Sequence, residues 1–273
     1  MRNIWRKIKI NKMDSILRRT IKSGNASAVV LPKTWLAKTV RIELIEKDNY
    51  MILQEVLEII KSSVELSEIF GVYLVGSYAR KDRENSSDID ILVLSEKTDR
   101  EIIKERGYEI LIVSKGLLDY KLKKNLLPIG TMLREAIPLL NGKLIRDLKV
   151  KVTKENVKWY IETTRERLKV IRESVDRIEK NKPNGKLNDL VSYSLVLRLR
   201  TLYMINCLIK NKAYKKEDFV RLIKNISGSL ISYERYTHLK NDGENKRELP
   251  LIEGKKLYDY LKNYLEETKR SIK

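Results

Sequence analysis

The sequence is poor in the residues that build many familiar sites. Among its 273 residues there is one cysteine, Cys207. One thiol excludes an internal disulfide and a cysteine-rich zinc site. Cys207 lies within an apolar helical pattern, which suits a small core residue. The single histidine, His238, restricts histidine-based metal and triad chemistry in the same way. Glycine and proline are scarce, at 11 and 5, which suits helices more than loops. No uncharged run is long enough to span a membrane, and the longest apolar pattern, 190–209, carries Arg198 and Arg200. The basic start, Met1-Arg2-Asn3-Ile4-Trp5-Arg6-Lys7, lacks the apolar core of a signal peptide. A cytoplasmic protein without membrane contact is expected.

Charge is what the sequence has in abundance. Charged residues make up 34% of it, with a net charge of +20. The excess is uneven: residues 51–150 carry equal numbers of acidic and basic side chains, and both flanks are basic. That distribution suggests three parts, 1–54, 55–150 and 151–273. Net positive charge favours polyanionic partners, so nucleic acid is a possible partner.

The neutral middle holds the most informative stretch. An apolar run, Val72-Tyr73-Leu74-Val75, reads as a short buried strand. Gly76-Ser77 follows, then ten residues, then Asp88-Ile89-Asp90 opening a second apolar run. Side chains alternate along a strand, so Asp88 and Asp90 project to one face. Two carboxylates on an otherwise apolar strand repel each other and resist burial. A divalent cation would remove the conflict, and Mg²⁺ favours one or two carboxylates together with waters and substrate phosphates.

Around this motif, Val56, Leu57, Ile59, Ile60 and Val64 recur at helical spacing, predicting a helix over 55–68. Asp99 to Arg106 reads as a charged helix with Ile102 and Ile103 facing in, ended by Gly107. Tyr108 to Val113 is a strand, Lys115 to Asn125 a helix or loop, and the segments 131–140 and 144–148 finish the domain. The order predicts an α+β fold, a small mixed sheet covered on one face by helices.

This middle part resembles the polymerase-β nucleotidyltransferase superfamily, and most of all the minimal nucleotidyltransferases, through Gly76-Ser77-Tyr78-Ala79-Arg80 and Ser87-Asp88-Ile89-Asp90. The resemblance implies that Gly76 and Ser77 approach the triphosphate. It implies that Asp88 and Asp90 hold Mg²⁺ or Mn²⁺, and that a third carboxylate on an adjacent strand completes the site and helps deprotonate the acceptor. Glu109 is the only acid in the 108–113 strand and takes that role, with Glu105 as fallback, although the superfamily more often has Asp there. Arg80 is assigned to phosphate charge, or else to pairing with Asp82 and Glu84. The implied activity is transfer of an NMP from an NTP, ATP being the expected donor, to a hydroxyl of a protein, a nucleic-acid end or a small molecule.

The N-terminal part places a Gly24-Asn25 turn between two short strands, then Pro32 opening a short helix. Val40 to Ile45 and Tyr50 to Leu53 read as two more strands. Such strands cannot bury a core alone, and pairing with a second copy would solve this. Lys22-Ser23-Gly24-Asn25-Ala26-Ser27, with Val29-Val30-Leu31-Pro32-Lys33 and Trp35-Leu36, resembles the SpoVT/AbrB-type swapped-hairpin domain. That resemblance implies a homodimer through 1–54 and places Arg18, Arg19 and Lys22 on DNA phosphates. Thr39-Val40-Arg41 departs from the family's Gly-Asp turn. It also raises an alternative function, a DNA-binding regulator that only senses nucleotide.

The C-terminal part reads as a helical bundle: a helix from a cap at Thr153-Lys154-Glu155-Asn156, then helices over 187–211, 216–225 and 254–271. The arrangement resembles the bundles of kanamycin nucleotidyltransferase and HEPN-like proteins. Arg235 stands two residues before His238 rather than at the spacing of HEPN ribonucleases, which argues against ribonuclease activity. Tyr233-Glu234-Arg235-Tyr236 reads either as a cleft contact or as an irregular helix end packing aromatics.

Overall fold

The computed structural model describes residues 16, 18–42, 44, 47–82, 87–182, 185–240 and 248–272. The chain divides into two units, 1–47 and 48–273. In the first, strands β1 (Ile21–Ser23) and β2 (Ala26–Ala28) pair as an antiparallel hairpin. Gly24 closes it at φ +59°, a conformation in which glycine carries no Cβ penalty. Pro32 leads into a 3₁₀ turn, Lys33–Trp35. None of the six hairpin residues is buried. The expected strand at 40–45 is absent from its described residues, 40–42 and 44, and Ile45 lies outside them.

The expected strand at 50–53 is helical instead. Helix α1 spans Asn49–Ile60, and the Asp48 side chain caps it by accepting from the Met51 amide at 2.8 Å. The cap starts the helix earlier than the apolar spacing alone implied. Strand β3 (Ile69–Leu74), helix α2 (Gly76–Arg80), strands β4 (Ile89–Ser95), β5 (Arg100–Glu105) and β6 (Tyr108–Ser114), helices α3 (Lys115–Lys124) and α4 (Leu127–Glu135), strand β7 (Ile137–Leu140) and helix α5 (Gly142–Asp147) complete the sheet region. The strand order is β5-β6-β4-β3-β7; β4 and β6 run parallel and the other neighbours antiparallel. The α+β class with a small mixed sheet is therefore what the chain adopts.

Two expectations for this sheet are corrected. The charged segment 99–106 is a strand, because Arg106 and Gly107, at φ +51° and +78°, form a two-residue hairpin turn. Ile103 then packs inward and Ile102 is left 52% exposed. The sheet is also covered on both faces. Ile52, Val56, Ile59 and Ile60 of α1 meet Ile89, Ile91, Ile110 and Ile112 on one side. Leu118, Ile129 and Leu133 of α3 and α4 meet Tyr73, Leu92, Leu94 and Val113 on the other.

Helices α6 (Lys158–Asn181), α7 (Asp189–Ile209), α8 (Lys216–Ser227), α9 (Ile231–Lys240) and α10 (Leu251–Ser271) form the bundle, with a two-residue ladder between β8 (Lys186–Leu187) and β9 (Leu249–Pro250). The cap expected to start α6 is instead a closed turn before it, in which the Thr153 amide donates to Asn156 Oδ1 at 2.8 Å. The 233–236 cluster lies in α9, a regular helix. Tyr236 stacks on Tyr193 at 5.3 Å between centroids, and buried Arg235 pairs with Asp189. The bundle core is continuous with α4: Leu126 and Leu127 belong to it, and Gly130 lets α4 approach Leu208 of α7. No helix among the described residues is long and apolar enough to cross a membrane.

Ile110 is fully buried in the central parallel pair. Ile110→Ala should lower unfolding free energy by about 2–5 kcal/mol, the cost of lost burial plus an unfilled cavity; denaturant titration measures it.

Candidate active site

The register of β4 against β6 places Asp90 directly beside Glu109. Parallel neighbours in register point the same way, so both carboxylates lie on the sheet face that carries Leu92 and Leu111. Asp88 precedes β4, two residues from Asp90, and is exposed. The β5–β6 register sets Lys104 against Glu109, and the lysine ammonium pairs with the Glu109 carboxylate. Glu105, the fallback acid, has the opposite parity and pairs with Arg106 at 3.3 Å. The structure thus brings Asp90 and Glu109 together, adds Lys104, and sets Glu105 aside.

Burial, then the nearby charges of Glu109 and Asp88, raise the Asp90 pKa above the usual aspartate value; Arg80 and the Ser77 amide oppose this. Hydrogen bonding to Glu109, with further attraction from Asp88 and Asp90, raises the Lys104 pKa. Among the described residues no three His, Cys, Asp or Glu side chains form a preformed metal cage. The donor set nevertheless fits a hard divalent cation: carboxylate oxygens only, an aspartate crowded by like charge, and a lysine already supplying one compensating charge.

Helix α2 roofs these carboxylates. The Val75 amide donates to the Asp90 carbonyl at 2.9 Å, tying the start of α2 to β4. Gly76 sits at φ +69°, and a Cβ there would fall inside contact distance of the Asp90 carboxylate. The glycine is therefore required by Asp90 itself, in addition to any close approach of phosphate. The Gly76 amide donates to Glu135 Oε1 at 2.8 Å, and the Ser77 amide bonds the Asp90 carboxylate. Both leading amides are thus held by carboxylates.

Arg80, at the other end of α2, donates from one nitrogen to both Glu135 oxygens at 2.9 Å and from Nε to Asp82 at 3.2 Å. Burial works against its charge, but Glu135 and Asp82 outweigh burial and raise its pKa. Glu135 has a side chain only 6% exposed, so one buried carboxylate holds both ends of α2. The pairing of Arg80 with Asp82 was one of its two sequence-based assignments; the other proposed partner, Glu84, lies outside the described residues. The spacing of the motif carries no sign of Glu135, which stands 59 residues from Gly76. Lys104 had a usable sign, the Arg106-Gly107 pair, which closes a hairpin as readily as it ends a helix. Arg18, Arg19 and Lys22 are all exposed in the first unit.

Two expected outcomes follow from Asp90 and Gly76. Because the folded protein raises the Asp90 pKa, the ionised carboxylate costs stability, and the cost appears as pH rises through that pKa. Asp90→Asn should raise the melting temperature at neutral pH in chelator, with the gain shrinking as pH falls and Asp90 protonates; calorimetry across pH checks the trend. Gly76→Ala should displace Asp90 and weaken divalent-cation binding at least about tenfold, since a left-handed non-glycine turn and a steric overlap act together; Mn²⁺ titration reads it.

Residues 53–160 match the family described as "Nucleotidyltransferase domain". No curated protein matches the chain. Among solved structures it is similar to a nucleotidyltransferase-like protein from Exiguobacterium sibiricum 255-15, at 15% identity and a TM-score of 0.37, covering 81% of this chain and 76% of that one. It is also similar to spectinomycin adenyltransferase AAD(9) from Enterococcus faecialis, solved with ATP and spectinomycin, at 14% identity and a TM-score of 0.38, covering 80% of this chain and 100% of that one. The matched segment contains Gly76, Ser77, Asp88, Asp90, Glu109 and Glu135. Residues 53–160 are a nucleotidyltransferase domain, and the chain is a nucleotidyltransferase through it.

Proposed function

We propose that the chain uses Mg²⁺ or Mn²⁺ to move an NMP from an NTP, with ATP the first donor to test, onto an acceptor hydroxyl, releasing pyrophosphate. The observation carrying this reading is the β4–β6 register, which sets Asp90 beside Glu109 beneath the Gly76-Ser77 turn. Asp88 and Asp90 would hold the cation, joined by Glu109 once Lys104 leaves it. When bound, the cation supplies positive charge at the reacting phosphate. The Ser77 hydroxyl is assigned to a phosphate oxygen. Glu109 is assigned to the proton of the acceptor hydroxyl, with Lys104 holding its carboxylate ready in the interim. Arg80 is assigned to holding the turn, because two of its three nitrogens donate to Asp82 and to Glu135, which also accepts from the Gly76 amide.

The reading keeps the three functional parts, 1–54, 55–150 and 151–273, with residues 49–54 belonging to α1 of the sheet region. In the first, Val30, Leu36 and Ile42 are 60%, 79% and 67% exposed. Such apolar exposure supports a second copy covering this module, giving a homodimer. The basic flanks favour a macromolecular acceptor, a protein or a nucleic-acid end, over a small molecule.

Incubation with α-labelled NTPs and Mg²⁺, offering protein, nucleic-acid and small-molecule acceptors, tests the activity. Label transfer should fall at least about 100-fold in Asp88→Ala and Asp90→Ala, a loss typical of removing a charge-stabilising group. Equal transfer by wild type and variants, or none by any of them, would overturn the proposal.

A further inference from the structure

One aromatic ring from the bundle reaches the motif. Tyr214 lies in the 210–215 connection between α7 and α8 and is 7% exposed. The Arg80 guanidinium carbon sits 5.6 Å from its ring centroid, and that of Arg200, on α7, sits 5.3 Å from the same centroid. Arg200 also donates to the Tyr236 hydroxyl at 3.4 Å. The Tyr214 ring has little freedom, since Tyr203 and Phe219 pack against it with centroids 6.0 and 6.2 Å away. It is a rigid surface presented by the bundle core.

Arg80 is the group this surface meets. Two of its three nitrogens donate in the guanidinium plane to Glu135 and Asp82, and the cation's face lies against the aromatic ring. The same Glu135 carboxylate accepts from the Gly76 amide. Tyr214, Arg80, Glu135 and Gly76 therefore form one continuous series of contacts, running from the bundle core to the turn above Asp90.

We propose that Tyr214 is a positioning residue for the nucleotide site: its ring fixes Arg80, and through Arg80 and Glu135 it fixes the Gly76-Ser77 turn. The proposal deepens the nucleotidyltransferase reading, and its effect on nucleotide rests on that reading. Its effect on the turn does not. Without the ring, water reaches the Arg80–Glu135 pair, exposed ion pairs hold geometry weakly, and α2 gains freedom at both ends. The helical bundle is then part of the phosphate site's framework, separate from any contact it makes with an acceptor.

The full chain is compared with Tyr214→Leu, Tyr214→Phe, Arg80→Met and the Tyr214→Leu/Arg80→Met double variant. Hydrogen exchange is followed at residues 76–80 and in α10, and ATP binding is followed by calorimetry with Mn²⁺. Tyr214→Leu should speed exchange at 76–80 and weaken ATP binding, each by about tenfold, as loss of a desolvated cation–π contact allows. Tyr214→Phe keeps the ring against Arg80 and loses only the hydroxyl's hydrogen bond with Arg200, so exchange at 76–80 should stay within about twofold of wild type. Tyr214→Leu should add nothing at 76–80 once Arg80 is methionine. Unchanged exchange at 76–80 in Tyr214→Leu, or an additive increase in the double variant, would overturn the proposal. The double-variant comparison still decides if leucine also loosens α10. If wild type binds no ATP, the nucleotide reading fails and exchange at 76–80 still decides the positioning role.

Discussion

Two carboxylates held side by side on the apolar face of a sheet are the constraint around which the catalytic region is built. Asp90 and Glu109 are neighbours because β4 and β6 run parallel in that register, and no side-chain rotation can move them far apart. Three nearby features answer the resulting repulsion. Gly76 leaves space for the Asp90 carboxylate, the Ser77 amide donates to it, and Lys104 lies against Glu109. Each is a local arrangement that an uncharged pair would not need. The site accepts a stability cost in order to keep negative charge where a cation can use it.

The helix above the carboxylates is only five residues long, too short to persist through its own hydrogen bonds. Its order comes from tertiary contacts. Glu135 at the end of α4 bonds both its first residue and its last. Helix α4 is itself packed on α7 through Gly130 and Leu208. The sheet region and the bundle are accordingly joined by a shared apolar core and by a polar connection through Arg80. Removing the bundle would be expected to disturb the turn as well as the surface it packs against.

Much of this was legible in the sequence wherever an answer depended on neighbours in the chain. The apolar run after the motif located β4 with Asp90 in it, and the lone acid of the 108–113 strand, Glu109, is the residue that stands beside Asp90; what the carboxylates do belongs to the proposal. The long apolar stripes located α6, α7, α8 and α10. Misreadings arose where one local signal permits two structures. A glycine at positive φ ends a helix or closes a hairpin, so Gly107 made a charged strand look like a helix. Apolar residues at 50–53 suited a strand until the Asp48 cap was weighed. What depends on contacts distant in the chain was not legible. Glu135, Tyr214 and the helices covering the second face of the sheet gain their meaning only once the chain is folded.

The position of β5 has an evolutionary consequence. It is one of the two edge strands, joined to the sheet on one side only, and Lys104 is 68% exposed there. Substitutions at an exposed edge cost little folding energy compared with those in the core. Yet this position sits directly against one of the clustered carboxylates. The local charge could therefore drift from lysine to neutral or acidic through single substitutions that leave the fold untouched. A lineage could retune its cation requirement at the rim of the sheet while every buried residue stays as it is.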